Sequence, residues 1–208
     1  EVGHTLGLMH NYAASTINRS SVMDYPHPAA YINASGNIDI SNAYDDKIGA
    51  WDKMSINWGY AEFAQGVNEK EALNNILYNA YKNGLRYLTD QDARPAGSVS
   101  GLAHLWDNGN NIIEELKNVM KVREKALQQF SENNILPGTP LAMLEDVLVP
   151  IYFYNRYQIE AATKLVGGMD YTYALRGDGQ NIKKSIPKSE QVKALNEVIN
   201  CIDPKALM

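Results

Sequence analysis

The chain has 208 residues, of which 45% are apolar and 21% are charged, so it can bury a hydrophobic core and is not expected to be disordered. Its formal net charge of −5, without a run of Lys or Arg, argues against a nucleic acid partner and gives no reason to expect binding to an anionic membrane surface. No apolar run approaches the ~20 residues of a membrane span, and the single cysteine, Cys201, excludes an internal disulfide framework.

The first ten residues, EVGHTLGLMH, carry a spacing of glutamate, histidine and glycine that is typical of a metal site. They match the signature H-E-x-x-H-x-x-G-x-x-H at every position from its glutamate onward. The matched residues are Glu1, His4, Gly7 and His10. The first histidine of the signature would stand immediately before Glu1, so we expect this chain to be a fragment that begins inside the active site of a longer protein.

The geometry of a helix explains this spacing. Positions i and i+4 lie on one face, so the missing histidine and His4 would direct two imidazoles at one Zn²⁺ ion. Glu1 flanks the same face without having to bind the metal, and could take a proton from zinc-bound water. On a continuous helix His10 would be turned by about 240° from His4 and could not reach the same ion. We therefore expect Gly7, which tolerates a positive φ, to end the helix and return His10 as third ligand.

A second segment, SVMDYP at residues 21–26, follows the first. Together the two segments resemble the metzincin zinc endopeptidases, in which a methionine-containing turn lies beneath a three-histidine site. The resemblance implies that Met23 packs beneath the metal and that Tyr25 reaches the metal or the oxyanion of the substrate. Asp24 is expected to bond to local backbone groups instead of the metal.

Two later segments are similar to a group of large bacterial zinc-dependent metalloproteases with a long helical C-terminal part. They are residues 49–60, GAWDKMSINWGY, and residues 157–168, which end in two glycines. The resemblance implies Zn²⁺ as cofactor, a peptide or protein as substrate, and a bacterial protein that is secreted, periplasmic or at the cell surface. It also implies that the sheet of the catalytic domain precedes residue 1, so the N-terminal remainder of the same protein is an expected partner.

Irregular structure and helices alternate in the first half of the chain. Residues 11–43 are rich in Pro, Gly, Asn and Ser, which indicates a loop around the metal region. Apolar spacing predicts a helix over residues 45–57, and a second helix over residues 69–83 begins after the capping residue Asn68. Residues 89–108 contain many turn-forming residues, which indicates a surface loop.

The second half of the chain contains the most regular apolar patterns. A helix is predicted over residues 110–132, and another over residues 139–166 with a kink at Pro150. A last helix begins near Pro187. The alternation of apolar and polar residues that indicates a β-strand is not found.

The predicted fold class is mainly α. We interpret the chain as the lower, C-terminal part of a metzincin-like catalytic domain that continues into a helical bundle. Residues 1–66 are expected to form the catalytic portion, with the truncated zinc motif and the methionine turn. Residues 67–208 are expected to form a helical C-terminal domain.

The histidines and the clustered aspartates outside the motif are interpreted as structural residues and not as metal ligands. His27 and His104 are expected at the surface, or in the core with a satisfied partner. Asp90, Asp92 and Asp107 suggest calcium at first sight, but their spacing does not match an EF-hand loop. We interpret them as a solvated acidic loop.

Two function classes remain open. In the first, the complete protein is a zinc endopeptidase that uses Glu1 and Tyr25 in catalysis and His4 and His10 as two of three metal ligands. This fragment, which lacks one ligand, is then expected to bind zinc weakly or not at all and to be inactive. In the second, the chain is a helical interaction or substrate-presenting module whose protease signature has lost its function. The residue before Glu1 distinguishes the two.

Overall fold

The computed structural model describes residues 1–180 and 182–207, in which helices account for most of the regular structure. The α-helices are α1 (Val2–Thr5), α2 (Ala50–Tyr60), α3 (Glu69–Lys82), α4 (Asp90–Ala93), α5 (Ile112–Gln128), α6 (Leu144–Tyr152), α7 (Arg156–Thr163), α8 (Lys188–Asn200) and α9 (Pro204–Leu207). The strands are β1 (Tyr31–Ile32), β2 (Ile38–Asp39), β3 (Met169–Tyr171) and β4 (Lys183–Ser185). The mainly α fold class is confirmed.

Helix α5 lies at the centre of a hydrophobic core. Its N-terminus is capped by Asn111, whose side chain accepts the backbone N–H groups of Ile113 and Glu114 at 3.0 and 3.1 Å. One face of α5 packs against α7 and α8. This core contains Ile112, Ile113, Leu116, Ala161, Ala162, Leu165, Ala194 and Cys201. Leu116 is completely buried, which stabilises the fold by about 2 kcal/mol relative to an exposed leucine.

Two of the predicted helices, α3 and α8, begin where the sequence places them. Helix α3 confirms the prediction over residues 69–83, and the side chain of Asn68 caps it as expected. Helix α8 begins directly after Pro187, also as predicted. Helix α5 lies within the predicted range 110–132 and is shorter than that range at both ends.

Helix α2 begins later than predicted. Its first residue is Ala50 and not residue 45, because the carboxylate of Asp52 accepts the backbone N–H of Gly49 at 2.7 Å and caps the helix there. The N–H of Trp51 donates to the carbonyl oxygen of Ser20 at 2.8 Å. The start of α2 is thus fixed by contacts with the methionine turn, which the helical pattern does not reveal.

The single kinked helix predicted over residues 139–166 is wrong. Residues 153–155 divide it, so that α6 ends at Tyr152 and α7 begins at Arg156. Pro150 lies inside α6 and has no N–H to continue the hydrogen-bond ladder. The chain leaves the helix soon after the proline instead of bending at it.

The prediction of a surface loop over residues 89–108 is wrong in part. The segment begins with α4 and stays at the surface over residues 94–97, but residues 100–108 are mostly buried. Its buried apolar residues pack with the segment that follows the zinc motif. This second core contains Tyr12, Ala13, Leu88, Ala93 and Ala103. Of the residues that suggest turns, Arg94, Pro95 and Gly97 are exposed, whereas Gly101 is packed inside.

Two short antiparallel strand pairs accompany the helices. In the first, Tyr31 of β1 is opposite Asp39 of β2, and in the second, Met169 of β3 is opposite Ser185 of β4. Strands of two or three residues are too short to show the alternation that identifies a strand in a sequence. The sequence therefore predicts no strands where the structure has these four.

The proposed boundary at residue 66 stays a prediction. Contacts do cross it, since β1 packs against α5. None of the helices that the structure describes is both long and apolar enough to cross a membrane.

Candidate metal centre

Helix α1 ends in a turn that reverses the chain between His4 and His10. Gly7 has a φ of +83°, which favours glycine because other residues rarely adopt it. The N–H of Gly7 donates to the carbonyl oxygen of His4 and the N–H of Leu8 to that of Gly3, both at 3.0 Å. This pair of bonds is a Schellman motif. The motif reverses the direction of the chain, so that His10 lies beside His4.

His4 and His10 face each other through their Nε2 atoms, which are 3.2 Å apart. Each Nδ1 has an acceptor of its own at 2.9 Å: the carbonyl oxygen of Leu8 for His4, and Oδ2 of Asp90 for His10. Because a carbonyl or carboxylate oxygen only accepts, each Nδ1 carries a hydrogen, and each Nε2 of a neutral ring presents a lone pair. Two lone pairs therefore point into one small space, where a cation would be stabilised.

The hydroxyl group of Tyr25 reaches the same space, with its oxygen 3.2 Å from Nε2 of His10. The carboxylate of Asp24 holds this turn by accepting the N–H groups of Tyr25 and Ser15, both at 2.7 Å. Burial raises the pKa of Asp24 to about 7 although these hydrogen bonds lower it. The local backbone bonding expected for Asp24 is confirmed.

Met23 lies directly beneath α1, where Gly3 leaves room for it. Met23 is 4% exposed, and a Cβ on Gly3 would stand 2.2 Å from its Sδ. The N–H of Asn11 donates to the carbonyl oxygen of Met23 at 2.9 Å and joins the zinc motif to the methionine turn. Sequence reasoning missed Gly3, although a glycine inside a helix is unfavourable by about 1 kcal/mol and so invites an explanation.

A fully buried carboxylate, that of Asp52, ties the methionine turn to α2. Its Oδ1 accepts the hydroxyl of Ser21 at 2.5 Å, and its Oδ2 accepts the N–H of Val22 at 2.8 Å and that of Gly49 at 2.7 Å. The hydroxyl oxygen of Ser21 in turn accepts the N–H of Met23 at 3.0 Å. Sequence reasoning missed Asp52, because no local pattern links it to a turn 30 residues away.

A second carboxylate, that of Asp90, lies behind His10. Its Oδ2 accepts the ring N–H of His10, and its Oδ1 accepts from Nε of Arg94 and from the hydroxyl of Tyr12, the latter at 3.3 Å. Burial acts to raise the pKa of Asp90, but the hydrogen bonds from Arg94 and His10 lower it to about 2. The group is therefore an anion at neutral pH.

The interpretation of Asp90, Asp92 and Asp107 as a solvated acidic loop is wrong. Asp107 is fully buried and accepts the hydroxyl of Ser15 at 3.2 Å, and burial raises its pKa well above the usual range. Asp92 accepts hydrogen bonds from two tyrosine hydroxyls. Each of these carboxylates has a structural partner, which a count of acidic residues does not reveal.

The two histidines outside the motif are buried. His27 is a core residue with a partner, as expected, since its Nδ1 donates to the carbonyl oxygen of Pro28 at 2.8 Å. His104 differs from the expectation, because neither of its ring nitrogens has a hydrogen-bond partner in the described part of the chain. An oxygen of Glu160 lies 3.5 Å from its Nε2. Neither histidine touches the candidate metal centre.

A family model described as Met-zincin matches residues 1–208, which is the whole chain. The chain belongs to the Met-zincin family. This membership confirms the resemblance to metzincin-type zinc metallopeptidases, which the first 26 residues suggest. A search of curated proteins and a search of solved structures found no match.

The Met-zincin residues present here fit a zinc ion. Tetrahedral coordination with Zn–N distances of about 2.0–2.1 Å places two ligand nitrogens ~3.4 Å apart. The two Nε2 atoms of His4 and His10 are 3.2 Å apart, close to that value. Among residues 1–180 and 182–207, no group of three His, Cys, Asp or Glu side chains is arranged to hold a metal ion. The described residues thus bring together two imidazoles without a third side chain of these types.

Glu1 is the N-cap residue of α1. Its carbonyl oxygen accepts the N–H of Thr5 at 3.2 Å, and its exposed side chain makes no hydrogen bond or ion pair with any residue that the structure describes. The proposed proton transfer by Glu1 therefore stays a prediction. The catalytic role of Tyr25 stays one as well, although its hydroxyl is close to His10.

Proposed function

We propose that this Met-zincin chain is the C-terminal part of a zinc endopeptidase, in which His4, His10 and a histidine immediately before Glu1 hold the metal. One observation carries the proposal: two Nε2 atoms face each other at 3.2 Å while each Nδ1 has an oxygen acceptor elsewhere, which leaves the Nε2 lone pairs of the neutral rings for a metal. Two histidines that merely bond to each other would pair a donor with an acceptor. The spacing of the motif and the methionine turn support the same metal.

When bound, zinc supplies a Lewis acid that polarises the scissile carbonyl group and lowers the pKa of the attacking water. Glu1 accepts the proton of that water and passes it to the leaving amine. Tyr25, which is 38% exposed, donates its hydroxyl hydrogen to the oxyanion that develops on the substrate. Met23 and Gly7 act structurally: the first packs beneath the site and the second returns His10 to it.

The proposed substrate is a peptide or a protein, held between this chain and the N-terminal remainder of the longer protein. The family resemblance supports a bacterial protein that is secreted, periplasmic or at the cell surface. We propose that the present chain by itself binds zinc weakly and hydrolyses no peptide. High zinc affinity requires a complete set of deprotonated ligands in one place.

Metal analysis and a peptidase assay of the longer protein test the proposal. We expect about one zinc ion per chain, hydrolysis that stops on treatment with a chelator, and recovery when zinc is restored. The variant His10→Ala loses both zinc and activity, whereas the control Tyr44→Phe, at an exposed tyrosine outside the site, keeps both. A longer protein that has no histidine before Glu1 and holds no zinc contradicts the proposal. Such a result favours the alternative function, a helical interaction or substrate-presenting module.

A further inference from the structure

The two imidazoles of the site are held in different ways. Nδ1 of His4 donates to the carbonyl oxygen of Leu8, which lies four residues away in the same turn. Nδ1 of His10 donates instead to the carboxylate of Asp90, 80 residues further along the chain. The orientation of His10 therefore depends on a charged side chain from a distant segment, whereas that of His4 is fixed locally.

The carboxylate of Asp90 is itself held from several sides. Arg94, one turn later, donates its Nε–H to Oδ1, and Thr89 donates its hydroxyl to Oδ2 at 3.3 Å. The hydroxyl of Tyr12 donates to Oδ1 at 3.3 Å and accepts from a terminal guanidinium nitrogen of Arg94 at 2.9 Å. These contacts leave Oδ2 directed at the ring of His10.

Tyr12 connects this group to the core. It is completely buried, and its N–H donates to the carbonyl oxygen of Leu88 at 2.8 Å. Its ring lies 5.4 Å from that of His10, measured between centroids, and so restricts the imidazole on one side. The position of Asp90 relative to His10 is thus set by packing as well as by hydrogen bonds.

We propose that Asp90 is the positioning residue of the metal centre: it keeps His10 in the tautomer with hydrogen on Nδ1 and directs the lone pair of Nε2 at the site. A ligating histidine that donates its other N–H to a carboxylate has a fixed ring orientation and a more basic ligating nitrogen. The inference rests on the proposed function, since the purpose of the tautomer is to bind zinc. Asp90 bonds to Nδ1 of His10 and not to Nε2, so it acts on the proposed metal site through His10.

The tautomer of His10 can be measured in this chain without zinc or activity. At about pH 8.5, where an ordinary imidazole is neutral, ¹⁵N chemical shifts of the ring distinguish a nitrogen that carries hydrogen from one that carries a lone pair. We expect hydrogen on Nδ1 in the unmodified chain, and a shift towards the Nε2–H form in Asp90→Ala. Asp90→Asn keeps the shape of the side chain without its charge and should give a smaller shift. The control Asp46→Ala, at an exposed carboxylate, should give none.

Zinc affinity in the longer protein is the second measurement. Loss of such a carboxylate typically weakens metal binding by about 10- to 100-fold. We therefore expect Asp90→Ala to lower the zinc affinity by a factor in that range, and Asp46→Ala to leave it unchanged. An unchanged His10 tautomer in both Asp90 variants overturns the inference, and so does unchanged zinc affinity in Asp90→Ala. If the unmodified longer protein binds no zinc, the proposed function fails, and the tautomer measurement still decides the role of Asp90. If Asp90→Ala does not fold, Asp90→Asn replaces it.

Discussion

Gly3 of α1 rests directly on the thioether of Met23. A Cβ at Gly3 would stand 2.2 Å from Sδ and 3.2 Å from the terminal methyl carbon of that methionine, and Met23 is too buried to move aside freely. His4 is the next residue in the helix. Any displacement of α1 away from the methionine turn therefore displaces the imidazole of His4 as well.

The variant Gly3→Ala tests this contact. Alanine favours a helix over glycine by about 1 kcal/mol, but here the added methyl group forces α1 and Met23 apart, which costs about 1–3 kcal/mol. We expect a lower free energy of unfolding in urea, and weaker zinc binding by the longer protein.

Gly59→Ala is the matched control for Gly3→Ala. Gly59 also lies inside a helix, α2, but a Cβ there meets no atom within 4 Å. This variant should be stabilised by up to about 1 kcal/mol and should leave zinc binding unchanged. Equal effects of the two substitutions would show that helix propensity, and not the contact with Met23, determines the result.

Removing the carboxylate of Asp52 should loosen the methionine turn. In Asp52→Ala the N–H groups of Val22 and Gly49 lose their acceptor, and each unsatisfied group costs about 1–3 kcal/mol. We expect a loss of about 2–4 kcal/mol in the free energy of unfolding, measured by urea titration. Asp46→Ala, at an exposed position, should change it by less than about 0.5 kcal/mol. Similar values for the two variants contradict the role assigned to Asp52.

The parts of the fold that follow from local sequence were predictable. Helix α3 follows from the cap at Asn68 and an apolar face, and the turn at Gly7 follows from a glycine placed where helical geometry fails to bring His10 back. In both cases the signal and the structure lie within a few residues of each other. The ligand pair and the methionine turn could therefore be proposed before the structure was known.

The parts that depend on distant contacts were not predictable. Asp52 acts on a turn 30 residues before it, and Asp90 acts on a histidine 80 residues before it. The segment 89–108 has the composition of a surface loop, yet residues 100–108 are mostly buried and pack through small side chains and polar groups. Only tertiary packing distinguishes such a segment from an exposed loop, so a single sequence does not reveal it.

The proposed division of labour in the site predicts different losses for different residues. In the longer protein, Glu1→Gln should keep about one zinc ion per chain and lower turnover by at least about 10²- to 10⁴-fold, the range typical of general-base catalysis. His10→Ala should lose both metal and activity. Tyr25→Phe should be milder than Glu1→Gln, because it removes one oxyanion partner and leaves the nucleophile intact.

Metal analysis beside a peptidase assay measures these losses. The controls are Glu62→Gln and Tyr44→Phe, which remove the same chemical groups from exposed positions. Near-normal turnover in Glu1→Gln would refute the mechanism even if zinc were present. Loss of zinc in that variant would instead indicate that Glu1 is a ligand.

The buried imidazole of His104 should make stability fall at acid pH. Burial, together with the charge of Lys164, lowers the pKa of His104 to about 4, below the usual value of 6.5. Between these two values the unfolded chain binds a proton at this position and the folded chain does not. The contribution of the neutral His104 to the free energy of unfolding is therefore fully present above about pH 6.5, and it is lost progressively as pH falls towards 4.

The variant His104→Leu removes this titration and keeps an apolar side chain in the buried position. Urea unfolding of both chains between about pH 7 and pH 4.5 should show a steeper acid loss in the unmodified chain. The difference in free energy between the two chains should change by up to about 3 kcal/mol over the full interval, since one pKa unit corresponds to about 1.4 kcal/mol. The carboxylate of Glu160, 3.5 Å from the ring, opposes the effect and can reduce it. Parallel stability curves for the two chains would mean that His104 accepts a proton in the folded state as easily as in the unfolded one.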